Sequence, residues 1–323
     1  MDECPAVFIK TDMSEYTTQE ERYAEIARRL EIIGRYYDVN AISSRGKGNQ
    51  DIATYYKASD FYYDLAHCGG THNIHMGLSD DGEFHVRDFK KQAQYVGEQL
   101  GPDTRRVLEV GAGKAANTKL LAKQFPDIKF TALDLPNRNF LKNRVPSNVT
   151  LVEGDYNDLS GFEEGAFDLV FGVETICHGA DKNQTYKEIS RVLCPGGKLI
   201  VYDVYEPQPK TEMTDFEKDV NRLILASMCV TEEDLFIGDT KRYLENNGFD
   251  EIEITDLTEQ IRPSIARHEW LFSKWFRHPD IMHFFRHFIN ENANQNSIAG
   301  WMMNLAFDGK RLLQYDRVTA IKK

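Results

Sequence analysis

Apolar residues along this chain follow two rhythms. Val107–Val110, Phe130–Leu133, Val149–Glu153, Leu169–Val173 and Leu199–Val204 are short, nearly continuous apolar runs, the pattern of strands buried on both faces of a parallel sheet. Between them, apolar positions recur at helical spacing, with Leu120, Leu121 and Phe125 marking a helix over Ala115–Lys123 and a second helix expected over Lys182–Leu193. Strands and helices in alternation predict an α/β fold with a mostly parallel sheet. Upstream, Tyr23, Ile26, Ala27, Leu30, Ile33 and Tyr37 form one stripe on a helix that Thr17 or Thr18 would cap, and that stripe needs a surface to cover it. Ala53–Leu65 is aromatic-rich and helical in pattern, Cys68-Gly69-Gly70 breaks it, and the loop Thr71–Leu78 precedes a helix over Phe84–Leu100. Residues 1–15 read as a loose tail and 43–51 as a loop. Beyond residue 205 come a loop, an amphipathic helix, a helix ending at Gly248 and a strand at Glu251–Thr255; alternation in Arg311–Lys322 fits a closing antiparallel strand.

The first strand runs into Glu109-Val-Gly111-Ala-Gly113-Lys-Ala115, and the two glycines let the backbone turn tightly and approach a ligand. In an open α/β sheet ligands bind outside the carboxyl ends of the strands, near this first turn. A dinucleotide fingerprint would place a third glycine at position 116, where this chain has alanine. Glu109 would repel a pyrophosphate and would pair with a cationic ligand. Asp134, at the carboxyl end of the second strand, suits a grip on ribose hydroxyls. Hydride transfer on a nicotinamide cofactor is therefore disfavoured.

Composition narrows the partners. A formal charge of −12 over 323 residues argues against nucleic acid, whose phosphates call for clustered Lys and Arg. No run approaches the ~18 apolar residues of a membrane span. The N-terminus lacks the basic and apolar regions of a secretory signal. Cys4, Cys68, Cys177, Cys194 and Cys229 are scattered and odd in number, which fits reduced thiols in a cytoplasmic protein, and no spacing suggests a metal site.

The pairing of E-x-G-x-G with L-D at this distance resembles motif I and its acidic partner in class I S-adenosylmethionine (SAM)-dependent methyltransferases, with Ala115 where the family has a third glycine. Gly154-Asp155-Tyr156 after the third strand, F-D-L-V before the fourth, and R-V-L-C-P-G-G-K-L before the fifth match the same family. The resemblance implies a Rossmann-like seven-stranded sheet with an antiparallel last strand, N-terminal helices and an inserted lid between strands five and six. It divides the chain into a helical cap (1–100), a SAM-binding core (101–205) and a lid with the final strands (206–323). It also implies that Glu109, Gly111, Gly113, Asp134, Leu135, Asp155 and Tyr156 bind the cofactor, with Glu109 on the methionine amino group and Asp155 and Tyr156 on adenine.

Tyr56, Ser59, Tyr62, His75 and Gly77 resemble the Y-x-x-S-x-x-Y and H-x-G elements of sterol, tocopherol and prenyl-diphosphate methyltransferases, and Glu174-Thr-Ile-Cys177-His178 resembles E-A-T-C-H of the sterol enzymes. The expected activity is C-methylation of a terpenoid or other isoprenoid small molecule, with His75, Glu174 and His178 as candidate bases. Tyr62, Tyr63, His72, Trp270 and Trp275 are candidate acceptor contacts. A basic bias over Arg262, Arg267, His268, Arg277, His278, His283, Arg286 and His287, interleaved with aromatics, would suit an anionic acceptor group. A diphosphate there would bring Mg²⁺. The alternatives are N- or O-methylation of a natural product or lipid headgroup, and a SAM-binding protein without methyl transfer. The N-terminal helices and lid leave room for a homodimer.

Overall fold

The computed structural model describes residues 16, 18–44, 48, 51–56, 71–136, 144–179, 181–230, 233–278 and 291–323. Seven strands form one sheet: β1 Arg106–Val110, β2 Lys129–Asp134, β3 Val149–Glu153, β4 Phe167–Val173, β5 Leu193–Tyr205, β6 Phe249–Asp256 and β7 Gln314–Lys322. Their spatial order is β3-β2-β1-β4-β5-β7-β6. Strand β1 pairs parallel with β2 and β4, whereas β7 runs antiparallel to both β5 and β6. The apolar runs account for the centre of the sheet: Val107, Leu108, Val110, Val170 and Phe171 are all buried.

Helices flank the sheet, and the following label those that bear on the site. The cap begins with α1 Gln19–Gly34 and α2 Val39–Ser43; α3 Lys91–Glu98 follows a 3₁₀ turn at Val86–Lys90. The core contributes α4 Ala116–Gln124 and α5 Lys182–Val192. Then come α6 Asp215–Ser227, α7 Ile237–Asn246, α8 Thr258–Arg277 and α9 Glu291–Ala306. One face of the sheet packs on the cap, α3, α4, α6, α8 and α9; the other packs on α5 and α7.

Three elements differ from the sequence expectation for local reasons. The N-terminal stripe is two helices, because Asp38 caps a new one by accepting the Ala41 N–H at 3.0 Å, while Thr18 caps the first in a reciprocal box with Glu21. Cys194-Pro-Gly-Gly is a bulge inside β5: Phe167 pairs with Leu193 and Leu169 with Lys198, so the intervening residues loop out of register. Helices α6 and α7 stand between strands five and six, and a further pair, α8 and α9, stands between β6 and β7.

Charge clamps tie this pair to the cap. Arg29 of α1 reaches Glu269 of α8 at 2.5 Å and the carbonyl of Trp301 on α9, with its guanidinium 5.1 Å above the Trp301 ring. Arg22 of α1 and Arg262 of α8 share Asp308, each at 3.3 Å. Gly309 has φ +57°, and a Cβ there would lie 1.8 Å from Arg22 Nη1, so the arginine occupies the space a side chain would need. Replacing Asp308 with alanine leaves two buried guanidiniums facing each other. We expect a loss of about 2–3 kcal/mol in urea unfolding, below the full cost for a buried pair because the Asp308 side chain is 30% exposed.

Candidate active site

The carboxyl ends of β1, β2, β3 and β4 surround one cleft of about 70 Å³. Gly111 sits at φ +62°, where an added Cβ would fall 1.7 Å from Thr175 Oγ1, so the β1 turn and the end of β4 touch only because the residue is glycine. Ala115, at the place of the family's third glycine, is also left-handed, with φ 55° and ψ 36°, and it begins α4. Glu109 lies buried beneath the turn. It accepts from Asn117 Nδ2 at 3.2 Å, Thr118 N at 3.1 Å and Thr118 Oγ1 at 2.5 Å. Burial pushes its carboxyl up to about 7, against the pull of those donors.

Asp134, the last residue of β2, accepts the Gly113 N–H at 2.5 Å. Asp155 accepts from Asn157 N at 2.8 Å and Asn157 Nδ2 at 2.9 Å, so one carboxylate oxygen shapes the turn after β3. Tyr156 is buried and donates to the Thr175 carbonyl at 2.9 Å, joining the ends of β3 and β4; burial drives its phenol well above the usual range. Leu135 and Gly113 complete the set of sequence-expected cofactor residues lining this cleft.

The loop containing His75 closes the cleft. His75 is buried, and its Nδ1 donates to the Met76 carbonyl at 3.0 Å; burial lowers its pKa and favours neutral imidazole. Met76 N donates to Glu174 Oε1 at 2.7 Å, and Gly77 N donates to Ser264 Oγ of α8 at 3.1 Å. The loop is thus fixed both to the end of β4 and to the inserted helices.

A second cavity of about 230 Å³ abuts the first, and Tyr56, Ile74, Glu174 and His178 line both. Its walls are a stripe of α8 (Ile261, Ile265, His268, Phe272, Trp275) facing a stripe of α9 (Asn296, Gly300, Met303, Phe307). The Phe272 ring lies directly over Gly300, where a Cβ would meet it at 2.0 Å. No Lys or Arg is among the described residues lining this chamber.

At the junction, Glu174 has φ 49°, a left-handed conformation unusual for a glutamate. Burial raises its carboxyl to about 8, and the nearby Asp203 charge pushes the same way. His178 Nδ1 donates to the Cys229 carbonyl at 2.8 Å, so Nε2 accepts the Tyr56 hydroxyl at 2.7 Å. Asp203 is buried behind them and accepts the Cys177 N–H at 2.9 Å.

The structure therefore brings Glu174 and His178 to both cavities. His75 and His72 line the cofactor cleft and not the second cavity. Trp275 lines the chamber. Trp270 does not: half a helical turn from His268 and Phe272, it points outward at 36% exposure with Lys274 Nζ 3.1 Å from its ring. Tyr62, Tyr63, His283, Arg286 and His287 lie outside the described residues. Of the described residues in the basic bias, only His268 lines the chamber. Arg262 is spent on Asp308, Arg267 lies 4.7 Å over the Phe84 ring, and Arg277 and His278 are exposed. Sequence reasoning missed Ile74, Asp203, Asn296 and Tyr315 as chamber residues. The α8 stripe was legible in its spacing of three and four, but its partner stripe on α9 was not.

Residues 108–201 match the methyltransferase domain family. The sarcosine/dimethylglycine N-methyltransferase of Halorhodospira halochloris is 29% identical over 64% of this chain and 75% of that protein. A sterol 24-C-methyltransferase of Gibberella zeae is 30% identical over 48% of this chain, a match spanning only 42% of that enzyme's length. Among solved structures, the [4+2]-cyclase SpnF superposes with a TM-score of 0.64 at 18% identity, covering 86% of this chain and 97% of that one, which is a likeness of fold. Among the described residues no helix is long and apolar enough to cross a membrane.

Two outcomes test the cleft. Calorimetric titration with SAM should show binding weakened on the order of 100-fold by Asp134→Ala, with the circular dichroism spectrum unchanged. Ala115→Gly should raise stability in chemical denaturation by about 1 kcal/mol, by removing a left-handed Cβ.

Proposed function

We propose that this chain, a class I SAM-dependent methyltransferase, methylates a carbon of a large, uncharged and mainly apolar acceptor of the terpenoid or sterol-like kind. The observation carrying this reading is the apolar chamber that meets the cofactor cleft at Tyr56, Ile74, Glu174 and His178. An acceptor there loses its hydration, so its apolar area supplies binding energy and any charge on it would need a partner. The described lining holds no Lys or Arg to pair with a diphosphate or with the carboxylate of an amino-acid acceptor. That favours an uncharged isoprenoid over a prenyl diphosphate, and with it a reaction that needs no Mg²⁺.

In the cofactor cleft, Gly111 and Gly113 admit the ligand's close approach. Asp134 holds ribose hydroxyls, Asp155 and Tyr156 border adenine, and Glu109 sets negative charge opposite the methionine ammonium. That ammonium would favour the ionised form of a carboxyl that burial otherwise keeps near neutral. SAM supplies an electrophilic methyl group on a sulfonium. The chain's part is to position and desolvate the acceptor. An alkene's π pair forms the new carbon–carbon bond, and the neighbouring carbon is left cationic. The aromatic faces of Tyr56 and Tyr315 stabilise that cation, and Glu174 takes the proton whose loss restores the alkene. His178, locked by the Cys229 carbonyl, holds the Tyr56 ring at the junction.

The N-methyl alternative draws on the long match to the sarcosine enzyme. A radiolabelled-methyl screen decides between them. Sterols and prenyl alcohols should accept label, and sarcosine, dimethylglycine and geranyl diphosphate should not. Label on sarcosine with none on any alkene overturns the proposal. A base must be unprotonated to act, and burial raises the Glu174 carboxyl to about 8 in the free enzyme. Activity should therefore rise with pH through this region, with the limb displaced downward once the cationic cofactor is bound. Glu174→Gln should lower the rate about 100-fold or more and abolish the limb, with SAM affinity retained.

A further inference from the structure

The chamber is not uniformly apolar. Along α9 the inward residues run Phe307, Met303, Gly300 and Asn296, so the stripe begins apolar beside the sheet and ends in an amide. At ~1.5 Å per residue this run spans about 16 Å, the length of a multi-isoprene skeleton. The polar end has a defined orientation. Tyr55, from outside the chamber, donates its hydroxyl to Asn296 Oδ1, and Tyr37, in the link between α1 and α2, donates to Asn294 Oδ1 at 2.8 Å. With each Oδ1 turned to a tyrosine hydroxyl, the Nδ2 groups remain as donors. Asn294 is itself buried at 7% exposure, and both asparagines line the chamber. Neither Nδ2 has a hydrogen-bond partner among the described residues.

We infer that Asn296, with Asn294 beside it, forms a donor subsite for an uncharged oxygen of the acceptor, a hydroxyl or carbonyl at the end remote from Phe307 and Tyr315. The inference rests on the apolar-acceptor reading and adds a polar terminus to it. Two amide donors in an apolar wall discriminate sharply. An acceptor with an oxygen there satisfies them, and a pure hydrocarbon strips their water and returns nothing. With no Lys or Arg among the described lining residues, the oxygen belongs to an alcohol, ketone or ester in preference to a carboxylate or phosphate.

The test uses matched probes on the full-length protein: farnesol against farnesene, and cholesterol against cholestene, by equilibrium dialysis. The alcohols should bind about fivefold to tenfold more tightly than the hydrocarbons. In Asn296→Leu that preference should collapse toward one, with hydrocarbon affinity kept or improved. SAM affinity, unchanged, reports that the fold survives. Tyr55→Phe should also erode the preference, because it frees the amide to turn, although Tyr55 does not line the chamber. Equal binding of alcohol and hydrocarbon by the wild type overturns the subsite. So does a preference that survives Asn296→Leu. If no probe of either kind binds, the apolar-acceptor reading has failed, and the subsite falls with it.

Discussion

The hydrogen bond from Met76 N to Glu174 Oε1, 2.7 Å long, is the contact on which the site depends. Glu174 ends β4 in a left-handed conformation that bends the chain back toward the sheet's ligand edge. Its carboxyl holds the loop carrying His75, and Gly77 passes that attachment on to Ser264 of α8. One side chain thereby couples the Rossmann-like core, the loop over the cofactor cleft and the helices of the acceptor chamber. A strained backbone persists where its surroundings over-determine it, and here those surroundings are the two cavities themselves.

Burial and charge act together around that point. Glu109, Glu174 and Asp203 all have carboxyls raised by desolvation. Burial holds Glu109 at about 7 and Glu174 at about 8, and a bound cation would favour the ionised form of either. The N–H donors from Thr118, Cys177 and Val204 fix their geometry beforehand. The reaction therefore needs little rearrangement of charge within the protein.

The chamber joins core residues such as Asp203 of β5 and Tyr315 of β7 to the inserted helices, and those helices need their own support. Helices α8 and α9 are held on α1 by Arg29, and by the Arg22–Asp308–Arg262 cluster, across a glycine that leaves space for the guanidinium. The cap thus supports the chamber walls, and Tyr55 and Tyr56, in the helical segment 51–56, reach Asn296 and His178 respectively. Acceptor choice can change with these helices while the cofactor edge of the sheet is left alone.

The core was legible in the sequence because its signals are local. Short continuous apolar runs match strands buried on both faces of a parallel sheet, and Gly111 with Gly113 match a tight turn at the end of the first. Asp134 at the end of β2 and Asp155-Tyr156 after β3 follow from chain order, since parallel strands bring all their carboxyl ends to one edge. What the tertiary structure decided is long-range. Glu174 holds Met76 across 98 residues of chain, Gly77 meets Ser264 across 187, and Tyr55 meets Asn296 across 241. No spacing rule links such positions. The orientation of a stripe was similarly hidden: Trp270 and Trp275 look equivalent in an aromatic, basic segment, but only the second faces the chamber. Which surface α8 meets, and so which side of its stripe is inside, depends on a helix whose first described residue is Glu291 and on a cap that begins the described chain. The sequence by itself determined the cofactor-binding edge, whereas the shape and polarity of the acceptor chamber came from packing between segments far apart in the chain.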